Sequence, residues 1–167
     1  MPPIQTFCLT LIYTGVRISE TLAVTPERID RENSAIIFET LKRRKRVVFR
    51  VIPVPNELIV RLARVHGLSS VEITSEASAP LWNWSRTTAW KHVRAVMESA
   101  GVPGWLASPK AARHAFAVDA IQLGVALNLV QRWMGHARIE TTAIYANVIG
   151  DEERNIAERM WAGLRYF

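Results

Sequence analysis

The stretch LVQRWMGHARIETTAIYANV, residues 129–148, holds a glycine and a histidine between two segments of helical character. Gly135 is expected to end the first helix, because glycine readily adopts the left-handed conformation found at helix C-termini. His136 then lies in the turn, and Tyr145 follows nine residues later (145 − 136) on the next helix. A tyrosine in an apolar run is usually a packed core residue. By itself, this stretch therefore predicts two helices and a turn without defining a chemistry.

A second segment, SPKAARHAF at residues 108–116, predicts the start of another helix, since Pro109 suits the first helical turn. Lys110 and Arg113 are three residues apart and should face the same way. Two cations beside the free backbone N–H groups of a helix start could form a phosphate pocket. Considered alone, such a basic helix end is more often simply solvated.

The third segment is TGVRISE, residues 14–20. Gly15 is expected to end the first helix of the chain, and Arg17 begins a short second one. Glu20 lies three residues after Arg17, so both belong to one helix face and the carboxylate can orient the guanidinium. An Arg–Glu pair at this spacing is usually a surface ion pair, so this segment alone is a weak signal.

A β-hairpin is predicted between these segments. Residues 35–40 and 47–54 are rich in β-branched and aromatic residues, and the basic run 42–46 separates them. Pro53 and Pro55 should end the second strand. The sequence therefore indicates a hairpin with a positively charged tip.

Helices account for most of the remaining chain. Two of them have a predicted cap: Asn56 caps a helix that runs to about residue 66, and Ser85 caps one that runs to residue 100. The others are predicted at residues 4–13, 109–123, 127–134, 140–148 and 151 to about 164. Core positions are expected at Trp90, Val93, Val96, Met97, Trp133 and Met134. The prediction is a single, mostly α domain with one small antiparallel β-sheet, an α+β fold.

Composition limits the class of protein. A chain of 167 residues with 49% hydrophobic residues can build one domain. The net charge of +6, carried mostly by arginine, favours a polyanionic partner, although a solvated basic surface is an equal alternative.

Cys8 is the single cysteine, so no internal disulfide can form and a cytoplasmic location is expected. The sequence has neither a long apolar run typical of membrane spans nor the pattern of a secretory signal.

Taken together and in this order, the three segments and the hairpin resemble the catalytic domain of the tyrosine recombinases, the phage integrase family. Arg113 and His136 are 23 positions apart (136 − 113) and His136 and Tyr145 are nine apart, as in that family. The resemblance covers the chain from Ile4 to the last predicted helix. It implies the family's catalytic-domain fold over residues 1–167.

The resemblance also implies roles for individual residues. Arg17 and Arg113 match the two catalytic arginines, with Glu20 supporting Arg17. His136 matches the downstream histidine, and Tyr145 matches the nucleophile.

Two lysine positions are less clear-cut. Lys42 falls where the family has its hairpin lysine, the expected general acid, and Lys45 is the alternative within the same basic run. Lys110 occupies a position where histidine is commonest in the family. Lysine keeps a hydrogen-bond donor and a positive charge there but loses neutral acid–base exchange. The remaining cations of the run, Arg43, Arg44 and Arg46, together with Lys45, are expected to contact the DNA backbone.

The implied function is cleavage and rejoining of double-stranded DNA through a covalent 3′-phosphotyrosyl intermediate. Exchange of one phosphodiester for another needs no ATP, and the sequence contains no phosphate-binding loop or metal-binding motif, so neither a cofactor nor a metal is expected. The alternatives are a decayed integrase that only binds DNA and, less in keeping with Arg17 and Tyr145, a helix-turn-helix regulator.

Assembly is also implied by the resemblance. Four protomers are expected on paired DNA sites, and a monomer or weak oligomer in the free state. The apolar stripe Ile156, Met160, Trp161 and Leu164 is expected to pack on its own core or on a neighbouring subunit. The chain is expected to lack the family's N-terminal DNA-binding domain, either as a truncated product or as a minimal form.

Overall fold

The computed structural model of the protein describes residues 1–40, 48–68 and 79–146, with side chains up to residue 143. Seven α-helices and three β-strands lie within these ranges. The helices are α1 (Pro2–Thr14), α2 (Ile18–Leu22), α3 (Asn56–His66), α4 (Arg86–Ser99), α5 (Pro109–Gln122), α6 (Leu127–Met134) and α7 (Glu140–Ala146). The predicted helix at residues 151–164 lies outside the described residues.

The strands β1 (Ile29–Asp30), β2 (Ala35–Glu39) and β3 (Phe49–Pro53) form one antiparallel sheet in that order. Strands β2 and β3 are the arms of the predicted hairpin, with Ile36 opposite Ile52. Strand β1 was not predicted, because two residues are too short to show the alternation that identifies a strand. The predicted α+β fold, mostly helical with a small antiparallel sheet, is confirmed.

The core forms where α1 packs against α3, α4 and α5 and where the sheet covers α2. Its largest fully buried side chains include Phe7, Phe38, Ile36, Ile52 and Leu62. A smaller apolar cluster of Ala117, Ala120, Val130 and Met134 joins α5 to α6. The two clusters hold the starts and ends of α1, α5 and α6 in fixed positions.

The predictions for α4 were partly wrong. Ser85 caps the helix as predicted, since its hydroxyl accepts a hydrogen bond from the Thr88 backbone N–H. The buried face, however, is formed by Ala89 and Val93, whereas Trp90 is 37% and Val96 39% exposed. The inner face is rotated by about one residue from the prediction, because the small Ala89 permits close packing that Trp90 would prevent.

Two smaller corrections concern helix ends. Asn56 is not the cap of α3 but its first residue, with Pro55 at the cap position. The Asn56 side chain instead accepts a weak hydrogen bond from the Ser34 hydroxyl at 3.4 Å. As predicted, Gly15 and Gly135 end α1 and α6 in the left-handed conformation, with φ of 60° and 64°. In the part of the chain that the structure describes, no helix combines the length and apolar character needed to cross a membrane.

Candidate active site

Arg17 and Glu20 form the first part of the site at the start of α2. Arg17 is the N-cap residue, and its backbone N–H donates to Glu20 Oε2 at 3.0 Å. Its side-chain Nη1 donates to Glu20 Oε1 at 2.9 Å. Because Glu20 is only 1% exposed, this is a buried carboxylate and not an ordinary surface ion pair. The predicted pairing is therefore present, and Glu20 fixes the Arg17 guanidinium at the rim of the core.

A second arginine on Glu20 was missed by the sequence analysis. Arg50 on β3 donates from Nη2 to Glu20 Oε2 at 2.9 Å, and the Arg50 side chain is 4% exposed. From the sequence, Arg50 was only one residue of the second hairpin arm, 47–54, and no role was predicted for it. Its neighbours Phe49 and Val51 are exposed while Ile52 is buried. Arg50 thus shares the buried face of Ile52, two residues on, and this spacing was the only local signal for an inward arginine.

Arg113 is held by the ends of two helices. From α5, its Nη1 donates to the carbonyl oxygen of Gly15 at 2.6 Å and its Nη2 to that of Met134 at 2.7 Å. These carbonyls lie at the C-termini of α1 and α6, where the helix macrodipole carries partial negative charge. The guanidinium therefore has electrostatically favourable acceptors although neither is a carboxylate.

His136 joins Arg113 to α7. Its Nε2 lies 2.9 Å from Arg113 Nη2, and its Nδ1 lies 2.8 Å from the Thr142 hydroxyl oxygen. The pKa of His136 is lowered to about 4, chiefly by burial of the ring and then by the positive charges of Arg113, Arg17 and Arg50, while Glu20 acts in the opposite direction. The ring is therefore neutral at physiological pH.

Three of the predicted site residues line the same cleft. An open cleft of about 630 Å³ is lined by Arg17, Lys110 and Arg113. His136 contacts Arg113 directly. Lys110 is exposed at the first turn of α5. Three cationic side chains that lie far apart in sequence, Arg17, Lys110 and Arg113, thus line one cleft, and His136 contacts one of them.

The same cleft includes two residues of α4 that sequence reasoning did not assign to the site, Arg86 and Trp90. Trp90 had been assigned to the core, but it is partly exposed and stacks with Arg94, whose guanidinium carbon lies 5.4 Å from the ring centre. An aromatic face and a cation beside a basic cleft are groups suited to a nucleic-acid backbone and bases.

The other predicted residues are less fully described. Tyr145 lies on α7, three residues after Thr142, but its side chain lies outside the described part. The hairpin cations fall wholly outside the described residues; they are Lys42, Arg43, Arg44, Lys45 and Arg46. Within the described ranges, no three His, Cys, Asp or Glu side chains are grouped as metal ligands.

This combination of fold and cleft defines the class. The mostly helical domain with its small sheet is the fold of tyrosine recombinase catalytic domains. It superposes on the crystal structure of XerA recombinase with a TM-score of 0.69 at 23% identity, covering 99% of this chain and 57% of that one. The XerH site-specific recombinase in a post-cleavage complex with its palindromic difH substrate gives a TM-score of 0.74 at 21% identity, covering 95% and 46%.

Residues 3–151 match the model of the phage integrase family, and the chain belongs to that family. It is 29% identical to the tyrosine recombinase XerD of Mycobacterium tuberculosis, over 93% of this chain and 50% of that protein. It is 28% identical to the tyrosine recombinase XerA of Pyrococcus furiosus, over 90% and 52%. The chain thus spans about half the length of the curated relatives it matches.

Proposed function

We propose that the protein is a site-specific DNA recombinase that breaks and rejoins DNA strands through a 3′-phosphotyrosyl intermediate on Tyr145. The observation that carries this proposal is that Arg17 and Arg113 line one basic cleft and that His136 contacts Arg113 directly. Family membership and the similarity to recombinases solved with DNA support the same reaction.

The arginines suit the charge that develops in the reaction. The attacked phosphodiester acquires additional negative charge on its non-bridging oxygens in the pentacoordinate state. Arg17 keeps one face toward the cleft, with its side chain 26% exposed, while Glu20 holds the other. Arg113 is fixed by two carbonyls beside it. Such preorganised donors stabilise the transition state without having to move during the reaction.

The bonds and protons balance without a cofactor. The Tyr145 oxygen forms a bond to phosphorus as the bond from phosphorus to O5′ breaks. O5′ takes a proton from Lys42, or from Lys45 if the register of the hairpin differs, because a lysine ammonium can serve as general acid. The tyrosine proton passes to a phosphate oxygen or to a neighbouring base, assisted by His136 and Lys110. Rejoining runs the same steps in reverse.

Double-stranded DNA is the proposed substrate and partner. The cations Arg43, Arg44, Lys45 and Arg46 contact the phosphate backbone in this proposal, and Arg86 and Trp90 extend the contact along the cleft. Phosphate contacts of this kind give affinity that falls steeply with salt and carry little sequence information.

Assembly into a tetramer on paired DNA sites is the second part of the proposal, with a monomer or weak oligomer in the absence of DNA. It is supported by an apolar groove of about 670 Å³ between α1, α4 and α5, lined by residues that include Leu11, Val93, Met97, Phe116 and Trp133. The C-terminal segment 151–167 carries an apolar stripe at helical spacing that matches the groove in character. The occupant proposed is that segment of a neighbouring copy.

A covalent trap tests the catalytic half. A nicked suicide duplex loses the short strand after cleavage and leaves the protein attached to DNA, so wild-type protein should form a denaturant-resistant adduct. Tyr145→Phe should form none, while Tyr13→Phe, at a partly exposed tyrosine of α1, should behave as wild type. Binding of duplex without any adduct in wild type would instead identify a decayed, DNA-binding module.

Deletion of the segment tests the assembly half. Protein ending at Gly150 should bind a single DNA site but fail to pair two sites, as seen by native gel or sedimentation. A stable tetramer of the full chain without DNA would contradict the proposed assembly. Loss of folding on truncation would show that the segment belongs to the core of its own chain.

A further inference from the structure

We propose that Thr142 is a positioning residue that fixes the tautomer and orientation of His136 and so ties the helix bearing Tyr145 to the arginine site. The chemical significance of the link rests on the proposed function, but the link itself is a feature of the described structure. Thr142 was not singled out in the sequence, and it is fully buried.

The hydrogen-bond chain has only one consistent direction. A guanidinium can donate but not accept, so Arg113 Nη2 donates to His136 Nε2 across 2.9 Å. Nε2 must then carry the lone pair, which places the ring proton on Nδ1. Nδ1 donates to the Thr142 oxygen at 2.8 Å. The hydroxyl can accept this bond and still donate its own proton elsewhere.

The low proton affinity of the ring agrees with this direction. A second proton on Nε2 would point at Arg113 Nη2, and burial together with the surrounding arginines lowers the pKa of His136 to about 4. If a bound phosphate drew a proton to Nε2, the bond from Nδ1 to Thr142 would persist, because Nδ1 donates in both charge states. Thr142 therefore keeps the ring in place through a change of charge.

Thr142 also fixes the start of α7. Its backbone N–H donates to the Ile139 carbonyl at 2.8 Å, and α7 packs on both α5 and α6. Tyr145 follows Thr142 by three residues, close to one helical turn. A shift of α7 would pull the acceptor away from Nδ1, and the imidazole would lose the bond that orients it toward Arg113. The bond thus couples the position of the helix that bears Tyr145 to the orientation of the imidazole beside Arg113.

Nitrogen NMR of the histidines tests the tautomer directly. At pH 7, wild-type His136 should show a protonated Nδ1 and an unprotonated Nε2. Thr142→Val removes the acceptor with little change in volume and should shift the ring to a mixture of tautomers. Thr142→Ser keeps the hydroxyl and should preserve the wild-type spectrum. Thr141→Val is the matched control, because Thr141 is the adjacent threonine and is exposed.

Cleavage kinetics give the second readout. In single-turnover assays on the suicide duplex, Thr142→Val should lower the rate of adduct formation by up to about a hundredfold while leaving duplex affinity unchanged, since misplacement of a reacting group costs that much. Thr142→Ser should recover most of the rate, and Thr141→Val should match wild type.

Defined results would overturn the proposal. A proton on Nε2 in the wild-type protein, or an unchanged spectrum and rate in Thr142→Val, would exclude the positioning role. If Thr142→Val fails to fold, the spectra of wild type and Thr142→Ser still decide the tautomer. Absence of any adduct from wild type would count against the proposed recombinase activity, and the NMR result would then stand as the separate test of Thr142.

Discussion

Arg50 and Glu20 form an ion pair at 2.9 Å in which the side chains are 4% and 0% exposed. Removing one member of a buried ion pair is costly when it leaves the other charge buried without a partner, because that charge has lost its hydration without compensation. Two further nitrogens of Arg50, Nε and Nη1, are buried and have no hydrogen-bond partner among the described residues. The arginine is thus held in the interior mainly through Glu20.

Replacing Arg50 by methionine should lower the free energy of unfolding by less than the about 3–5 kcal/mol that is usual for removing one member of a buried pair, because Arg17 remains paired with Glu20. Arg94→Met is the matched control. Arg94 pairs with Glu98 at 2.8 Å, but both side chains are more than 40% exposed, and such pairs contribute at most about 1 kcal/mol. Urea denaturation of both variants gives the comparison, and equal losses would contradict the importance of the buried pair.

Gly135→Ala should be more damaging than the same change at Gly67. Both glycines have positive φ, 64° and 66°, which disfavours alanine by about 1–2 kcal/mol. A Cβ on Gly135 would also overlap the Arg50 guanidinium, whereas one on Gly67 would meet no atom within 4 Å. Thermal unfolding should show a clearly larger fall in Tm for Gly135→Ala. Similar shifts for the two variants would mean that Arg50 can move aside freely.

The stability of the protein should fall on mild acidification partly through His136. Its pKa is about 4 in the folded protein against 6.5 ordinarily. Between these values the unfolded chain binds more protons than the folded one, so stability is complete above about pH 6.5 and decreases toward pH 4. The charged groups that surround the ring are Arg113 of α5, Arg50 of β3, and Arg17 and Glu20 of α2.

Unfolding free energies measured from pH 5 to 8 should accordingly depend less on pH in His136→Asn than in wild type. His66 is a necessary comparison, because burial lowers its pKa too, and His66→Asn should flatten the profile independently. An NMR titration of wild type that places the His136 midpoint near 6.5 would disprove the expected acid sensitivity at this residue.

Lys42→Ala should slow cleavage of an ordinary duplex far more than it weakens duplex binding, because a general acid acts on the leaving oxygen. In a substrate with sulfur at the 5′-bridging position, the leaving group is a thiolate that needs no proton. This substrate should therefore restore the rate of the variant. Arg43→Ala provides a neighbouring control, with weaker binding and no rescue by sulfur. If the sulfur substrate fails to rescue Lys42→Ala, Lys45 becomes the candidate acid.

Local signals predicted most of the fold. The glycines at 15 and 135, the Ser85 cap and the β-branched arms of the hairpin each act within a few residues, so the elements could be placed from sequence. The two-residue strand β1 is too short to carry a pattern. Which residues form the buried face of α4 depends on the space left by the neighbouring helices. The helical periodicity of the sequence does not show that Ala89 fits this space and Trp90 does not.

The sequence predicted which residues belong to the candidate site, because their order and spacing resemble those of the family, but it did not predict the contacts between them. That Arg113 contacts the carbonyls of Gly15 and Met134 follows from the packing of three helices and has no sequence signature. Thr142 was missed for the same reason, since its bond to His136 crosses a turn. Arg50 could have been found, because it lies two residues before Ile52 on β3 and so shares its face, but the exposed neighbours Phe49 and Val51 are equally apolar and point to the opposite assignment.

The acceptors of Arg113 have a consequence for how the site tolerates sequence change. Both are main-chain carbonyls, which every amino acid possesses, so substitutions at the anchoring positions leave the acceptors chemically intact. Position 134 is constrained by its packing in the apolar cluster and not by the arginine. The fixed requirement is that α1 and α6 stop where they do. At Gly15 this requirement is strict, since a Cβ would overlap the Phe116 ring. A mutational scan should therefore find position 15 intolerant of any side chain, whereas position 134 should accept other apolar side chains of similar size.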